Sequence, residues 1–295
     1  MDRTPLYRPL TAADIPSAQR LRQQAHWNQS DEDWRHLIEM DPEGCFAAEL
    51  DGRIVGTATA ARFEPASGPG SFGWVGMVLV DEACRGKGLG SALLTRAIDY
   101  LRNCDVETVK LDATPMGRPV YLKQGFRDEC MLERWKGIPA LNAADAPPCP
   151  GIRLAPVNSH DLNYLVGFDA HAFGAQRRQI LASWMHAWPE RSIGAWNGSR
   201  LVGYALARRR ANWPQIGPVV CETPEIGIAL LARAFELAAG REVVLDLFSE
   251  NKWSIELAQR AGLTQQRTLT RMYHGPNASP GHREQLAAIA GPEVG

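Results

Sequence analysis

The chain is most informative first in what it lacks. No stretch of its 295 residues approaches the ~18 consecutive apolar positions of a membrane span, and Met1 to Leu10 holds no apolar signal core. The formal net charge is only −1, so no bulk field draws the chain to nucleic acid or anionic lipid. Lysine is scarce, five residues against 27 arginines, and no basic stripe forms. The six cysteines (Cys45, Cys84, Cys104, Cys130, Cys149 and Cys221) are scattered without a C-x-x-C pair. That argues against zinc or disulfide frameworks and for a reducing cytosol. What remains is ordinary globular material, 45% hydrophobic and 22% charged, with apolar side chains enough for two cores. These features predict a cytoplasmic protein, monomer or homodimer, with no metal and neither nucleic acid nor membrane as partner. At roughly 150 residues per domain, two domains are expected.

The two domains read as copies of one unit. Ala47 to Arg62 (AAELDGRIVGTATAAR) and Ala195 to Arg210 (AWNGSRLVGYALARRR) are each a pair of apolar-alternating runs. The runs are joined by Asp51-Gly52 or Asn197-Gly198, dipeptides that favour a hairpin turn. Downstream, Ser91-Ala-Leu-Leu-Thr-Arg-Ala matches Ile228-Ala-Leu-Leu-Ala-Arg-Ala at helical periodicity. The offset between copies falls from 147 at Gly56/Gly203 to 141 at Gly76/Gly217, then holds at 137 from Gly90/Gly227 to Gly125/Gly262. The second copy has therefore lost six residues between its third and fourth strands and four more just before its main helix. Each copy reads as strand, two helices, three antiparallel strands, helix, strand, helix, strand, a mixed α/β (α+β) class. Gly137 to Gly151, with four prolines, has linker composition, and residues 276–295 read as a loose tail with at most one short helix.

The chemistry concentrates in Trp74-Val-Gly-Met-Val-Leu-Val-Asp-Glu-Ala-Cys-Arg-Gly-Lys-Gly-Leu-Gly-Ser. A hydrophobic strand ends at Val80, a glycine-rich turn follows, and a helix begins near Gly88. A helix start presents unpaired N–H groups and partial positive charge. Gly86, Gly88 and Gly90 let an anion approach the backbone, and Arg85 and Lys87 add charge, so a pyrophosphate is the natural guest. A Walker A loop is absent, and Ser91 stands where a dinucleotide fingerprint needs its third glycine.

Arg85-x-x-Gly88-x-Gly90 resembles the acyl-coenzyme A loop of the GNAT N-acetyltransferases. Tyr121-Leu-Lys-Gln-Gly-Phe resembles that family's second signature, about thirty residues further on. The resemblance implies two tandem GNAT-like domains, each a mostly antiparallel central sheet flanked by helices. Residues 1–136 would be the catalytic domain, 137–151 a linker, 152–275 a degenerate domain and 276–295 a tail. It implies acetyl-CoA as cosubstrate and a primary amine as acceptor, attacked directly in a ternary complex. Met77, Val78, Leu79 and Val80 would pair with the pantetheine arm, and Arg85, Gly86, Lys87, Gly88, Leu89, Gly90 and Ser91 would hold the pyrophosphate. Tyr121 would protonate the departing thiolate. The competing reading is a non-catalytic acyl-coenzyme A sensor that engages a partner through the second copy.

The second copy reads Glu222-Thr-Pro-Glu-Ile-Gly227 where the first has its loop, and Ala258 where the first has Tyr121. It keeps Asn251, at a position where the family often contacts cofactor, though with the loop missing a helix N-cap is the better account. It is therefore expected not to catalyse. For the acceptor, Trp27, Asn28 and Trp34 form a polar-aromatic cluster open to substrate or core roles. Trp184, Trp188, Trp196 and Trp213 either wall the seam or fill a core. Glu64, His26, Asp112 and a water chain are the candidate bases, and Cys84 beside Arg85 is not expected to carry an acetyl group.

Overall fold

The computed structural model describes residues 4–65, 72–141, 143–238 and 240–295. The first half runs β1 (Leu6–Pro9), α1 (Ile15–Gln24), α2 (Asp31–Met40), β2 (Cys45–Leu50), β3 (Arg53–Pro65), β4 (Phe72–Val80), α3 (Leu89–Asn103), β5 (Thr108–Ala113), α4 (Arg118–Lys123) and β6 (Arg127–Gly137). The second runs β7 (Ile152–Pro156), α5 (Leu162–Phe173), β8 (Ala175–Gln176), α6 (Arg178–Ala187), β9 (Ile193–Asn197), β10 (Arg200–Arg208), β11 (Gln215–Cys221), α7 (Pro224–Ala238), β12 (Val243–Phe248), α8 (Lys252–Arg260), β13 (Thr264–His274) and β14 (Leu286–Ala288). The repeated order expected from the sequence is present in both halves. Local chemistry explains the ends: Ser30 and Asp33 cap α2 reciprocally, and Asp51 and Gly52 both take positive φ in the β2–β3 turn.

The two halves are not separate beads. One sheet runs β1-β2-β3-β4-β5-β13-β6-β12-β11-β10-β9-β7. The final strand of each half has crossed into the other: β13 pairs with β5, Arg271 opposite Asp112, and β6 pairs with β12, Arg134 opposite Asp246. β13 and β6 also pair with each other along most of their length. Two strands that could have been edges with unpaired N–H groups become the centre of the sheet. Leu132 and Leu269, fully buried there, join the core that both halves share. That seam core contains Trp34, Phe63, Phe72 and Trp74 from the first half and Phe173, Trp184 and Tyr204 from the second. Burying each such large side chain stabilises by about 1.5–3 kcal/mol. Separate clusters lie under α3 and under α7 and α8.

The expected loose tail is corrected. Residues 286–290 are buried, β14 adds to β11, and Trp74 Nε1 donates to Pro292 O at 3.0 Å. Polar and glycine-rich composition mimicked a free end, but tertiary pairing decides this segment. Among the described residues no helix is long and apolar enough to cross a membrane.

Candidate active site

The site begins where two parallel strands separate. β4 and β5 pair only at Phe72/Thr108, Gly73/Val109 and Trp74/Lys110. Beyond Trp74 the β5 side of β4 has no strand partner among the described residues. On its other side, β4 shifts register against β3 between Thr57/Leu79 and Thr59/Gly76. This is a bulge, and Met77 adopts φ +50° within it. A buried methionine in that region of backbone space needs support. Thr57 supplies it, its Oγ1 donating to Met77 O at 2.8 Å. Because the Met77–Val78 peptide is trans and planar, a carbonyl aimed at β3 turns the Val78 N–H toward the gap.

At the far end of β4 the glycine turn delivers the chain to α3. Gly86 and Gly88 take φ +76° and +80°, and a Cβ on either would meet nothing within 4 Å. The first turn of α3 thus faces open space, its N–H groups lacking intrahelical partners. Arg85 and Lys87 stand exposed beside it; Arg85 Nε donates to Val80 O at 3.2 Å. Leu89 is buried beneath the helix, while Gly90 lies 3.5 Å from Val80 Cγ2 as measured from a built Cβ. Ser91 is half-buried in the first turn, and Leu79 packs inward into the seam core.

A pocket occupies the gap. Val75, Leu111 and Tyr121 line it from the core under α3, whereas Trp27, Met77 and Leu269 line it from the seam core. It therefore passes through the sheet from one face to the other. Of the expected site residues, the structure brings Met77, Val78, Tyr121 and Trp27 together here. Asn28 and Trp34, expected at the substrate, lie elsewhere. Asn28 clamps the second half, its Nδ2 donating to Trp213 O at 2.8 Å and its Oδ1 accepting from Asn212 N and Trp213 N. Trp34 is wholly inside the seam core. Trp184, Trp188 and Trp196 are likewise buried, and Lys136 stacks on Trp213. Sequence reasoning missed Gln29, Arg267, Pro292 and Glu293, four lining residues that come from a loop, the exchanged strand and the tail.

Electrostatics sorts the titratable groups. Burial alone pushes the Tyr121 phenol up to about 12, so it is a proton donor at neutral pH. Asp112 lines the pocket, but both its oxygens accept from Arg271, Oδ1 from Nε at 2.8 Å and Oδ2 from Nη2 at 2.9 Å. Burial raises this carboxyl, with Arg271 opposing. Glu293 is held well below the usual carboxylate range by Arg210 and Arg208, against the opposing effect of its burial. Glu64 and His26 are exposed and outside the pocket; Glu64 lies opposite Gln176 on β8. Cys84 is half-buried in the turn before the glycines and does not line the pocket. Among the described residues no cluster suited to a metal ion occurs.

The equivalent place in the second half is filled. β11 and β12 pair only at Gln215/Val244 and then part, but β14 lies in the gap, pairing with β11 at Val219/Ala288 and Val220/Leu286. Ile289 N donates to Asp246 O at 3.0 Å on the opposite side. Gly217 permits this approach, since a Cβ there would stand 2.0 Å from Ile289 O. Asn251 occupies the helix N-cap position, yet its Nδ2 donates to Leu286 O at 3.3 Å. Trp253 packs on Gly227 where the first half has its open loop.

Comparison with known proteins agrees with this geometry. A model of the acetyltransferase (GNAT) family matches residues 14–126, and a model of the acetyltransferase (GNAT) domain matches residues 165–288. The N-acetyltransferase YitH of Bacillus subtilis, itself uncharacterized, is 25% identical over 182 residues, 60% of this chain and 61% of that one. A mycothiol acetyltransferase of Thermobispora bispora is 33% identical over 159 residues, 42% of this chain and 52% of that one. The chain thus covers less than two thirds of either curated relative. A Pyrococcus horikoshii protein assigned to the acetyltransferases superposes with a TM-score of 0.80 at 22% identity, covering 100% of this chain and 97% of the other. A tandem GNAT protein from the clavulanic acid biosynthesis pathway gives 0.62 at 16% identity, covering 92% and 99%. These two likenesses speak to the fold alone. With a GNAT match in each half and one sheet shared between them, the chain belongs to the GNAT acetyltransferases as a tandem of two GNAT domains.

Proposed function

We propose that this protein transfers an acetyl group from acetyl-CoA to a primary amine at one site, in the first half. The observation that carries the reading is the contrast between the two strand gaps. The β4 edge beyond Trp74 is unpaired and bulged, whereas the equivalent β11 edge is covered by β14. An open strand edge suits an extended amide-bearing arm, which adds to it as a strand would. The cradle at Gly86 and Gly88 and the α3 N-terminus suit the pyrophosphate. Acetyl-CoA supplies the activated acyl group.

The chain's own residues do three things. The Val78 N–H, aimed by Thr57, stabilises negative charge developing on the acetyl oxygen. Tyr121 holds the proton that the leaving sulfur needs. Neither carboxylate of the pocket is free to act as base, because Asp112 and Glu293 are both occupied by arginines. No histidine lines the pocket. The amine therefore loses its proton to water.

A thiol-release assay over a panel of amines tests the reading, which fails if no amine raises the rate above hydrolysis. Two quantitative expectations follow from the geometry. Thr57→Val should lower kcat roughly tenfold, the worth of one buried neutral hydrogen bond, while Thr57→Ser restores it. The pH dependence of kcat/KM should follow the acceptor: its midpoint should move with the pKa of each amine tested. A midpoint fixed across amines would identify a protein base instead.

A further inference from the structure

We propose that the acceptor is a small amino carboxylate, with Arg267 binding its carboxylate and Gln29 accepting from its amine. This rests on the acetyltransferase reading above for the amine, but its charge argument is independent of catalysis. Three charged side chains line the pocket: Asp112, Glu293 and Arg267. The two carboxylates are already matched. Asp112 has Arg271, and Glu293 has Arg208 and Arg210 at Oε1 and Gln29 Nε2 at Oε2. Arg267 has no such match. Its Nε is buried without a hydrogen-bond partner. The carboxylate nearest in charge, Asp246, already has both oxygens on Arg134, the residue directly opposite Arg267 on β6. Burial and the Arg134 charge lower the Arg267 guanidinium to about 10. A half-buried guanidinium whose Nε is buried and unpaired is costly, and its planar fork matches a carboxylate in shape and charge.

A second orphan of opposite sense sits in the same pocket. Gln29 is buried, and because its Nε2 must face the Glu293 carboxylate, its Oε1 is fixed as the free end. That oxygen has no partner. It is an acceptor awaiting an N–H, as Arg267 is a donor awaiting an anion. Both belong to the seam side of the sheet. On β13, Arg267 shares a face with Leu269 of the seam core and with Arg271, which lies over Trp74 at 4.7 Å. The glycine cradle begins α3, which packs over the other cluster. Arg267 is therefore placed for the acceptor and not for the phosphates of coenzyme A. One orphan donor and one orphan acceptor lining the same pocket suit a small molecule bearing both an amine and a carboxylate.

The test compares α-amino acids with their carboxamides as acceptors, in thiol release, for wild type and Arg267→Gln. Wild type should favour the best amino acid over its carboxamide by about 10²-fold in kcat/KM. In Arg267→Gln that ratio should collapse toward one, chiefly through a higher KM for the acid, and Arg267→Lys should keep part of it. Carboxamides used as well as acids by wild type, or a ratio unchanged in Arg267→Gln, would overturn the proposal. A parallel calorimetric titration uses N-acetyl-amino acids and their amides as probes and needs no turnover. Arg267-dependent binding of the acids without acetylation of any amine would leave the carboxylate site standing and remove the acetyltransferase reading. Acetylation of amines with no dependence on Arg267 would do the reverse, and failure of both arms would remove both.

Discussion

Tyr121→Phe should lower kcat by about 10²–10⁴-fold, the range for a lost general acid, while the Kd of acetyl-CoA stays within about twofold. The expectation follows from placement. Tyr121 lines the strand gap from the α3 side, its ring packs on Phe126 with centroids 5.9 Å apart, and Gly117 leaves room beside it. Removing the hydroxyl keeps this packing, so the loss falls on proton donation and not on the fold. Desolvation alone raises the phenol to about 12, and the group therefore remains protonated through the neutral range. The wild-type kcat should show no alkaline fall below about pH 10, two units short of that value. Equal kcat in wild type and Tyr121→Phe would remove the acid role, whereas a fall centred near the ordinary tyrosine value of about 10 would show a phenol that burial does not shift. The unaltered Kd separates this from damage to the glycine cradle.

What was legible in the sequence was whatever local periodicity and turn chemistry decide. The hairpins at Asp51-Gly52 and Asn197-Gly198, the helix after the glycine loop, and the four-residue loss before Gly227 all carry local signals. The exchange of β6 and β13 does not. Both are strands of equal length, and nothing in either specifies β5 or β12 as its neighbour. The tail differs from expectation because residues 276–282 are small, polar and proline-containing, while the decisive apolar run, Leu286 to Ala290, is short and gains its partners only from β11 and β12. Trp27 and Trp34 are indistinguishable as residue types, and only the packing of α2 sends Trp34 into the core while Trp27 reaches the pocket. Arg267 is one of 27 arginines in the chain; what singles it out is a buried, unpartnered Nε on a residue that lines the pocket, a property of three dimensions.

The second large effect is structural and concerns the wall of the same pocket. Glu293→Gln should destabilise the protein by about 3–5 kcal/mol, the range for breaking a buried ion pair from one side. Glu293 is buried and bridges Arg208 and Arg210, which also share Asp33 at 2.8 and 3.0 Å. Arg210 continues through Gln215 to Asp246 and Arg134. Three arginines face three carboxylates along this path, and α2, β10, the tail and the exchanged strand β6 with its partner β12 meet in it. Neutralising Glu293 leaves two adjacent buried guanidiniums with Asp33 alone, and each already feels the other's charge. The pH dependence has a definite sign. The folded carboxyl is depressed below its ordinary value of 4.5, so its stabilisation is complete above that value and is lost progressively as pH falls toward the depressed one. Chemical denaturation of wild type and variant should therefore show the widest gap at neutral pH, narrowing below about pH 5. A gap that is constant from neutral to acid would mean that Glu293 contributes shape but not charge. Because Glu293 runs past Gly76, its O 2.8 Å from a built Cβ there, the variant should also loosen the acceptor end of the gap. Its KM for the amine should rise while the Kd of acetyl-CoA, proposed to sit on the α3 side, changes little.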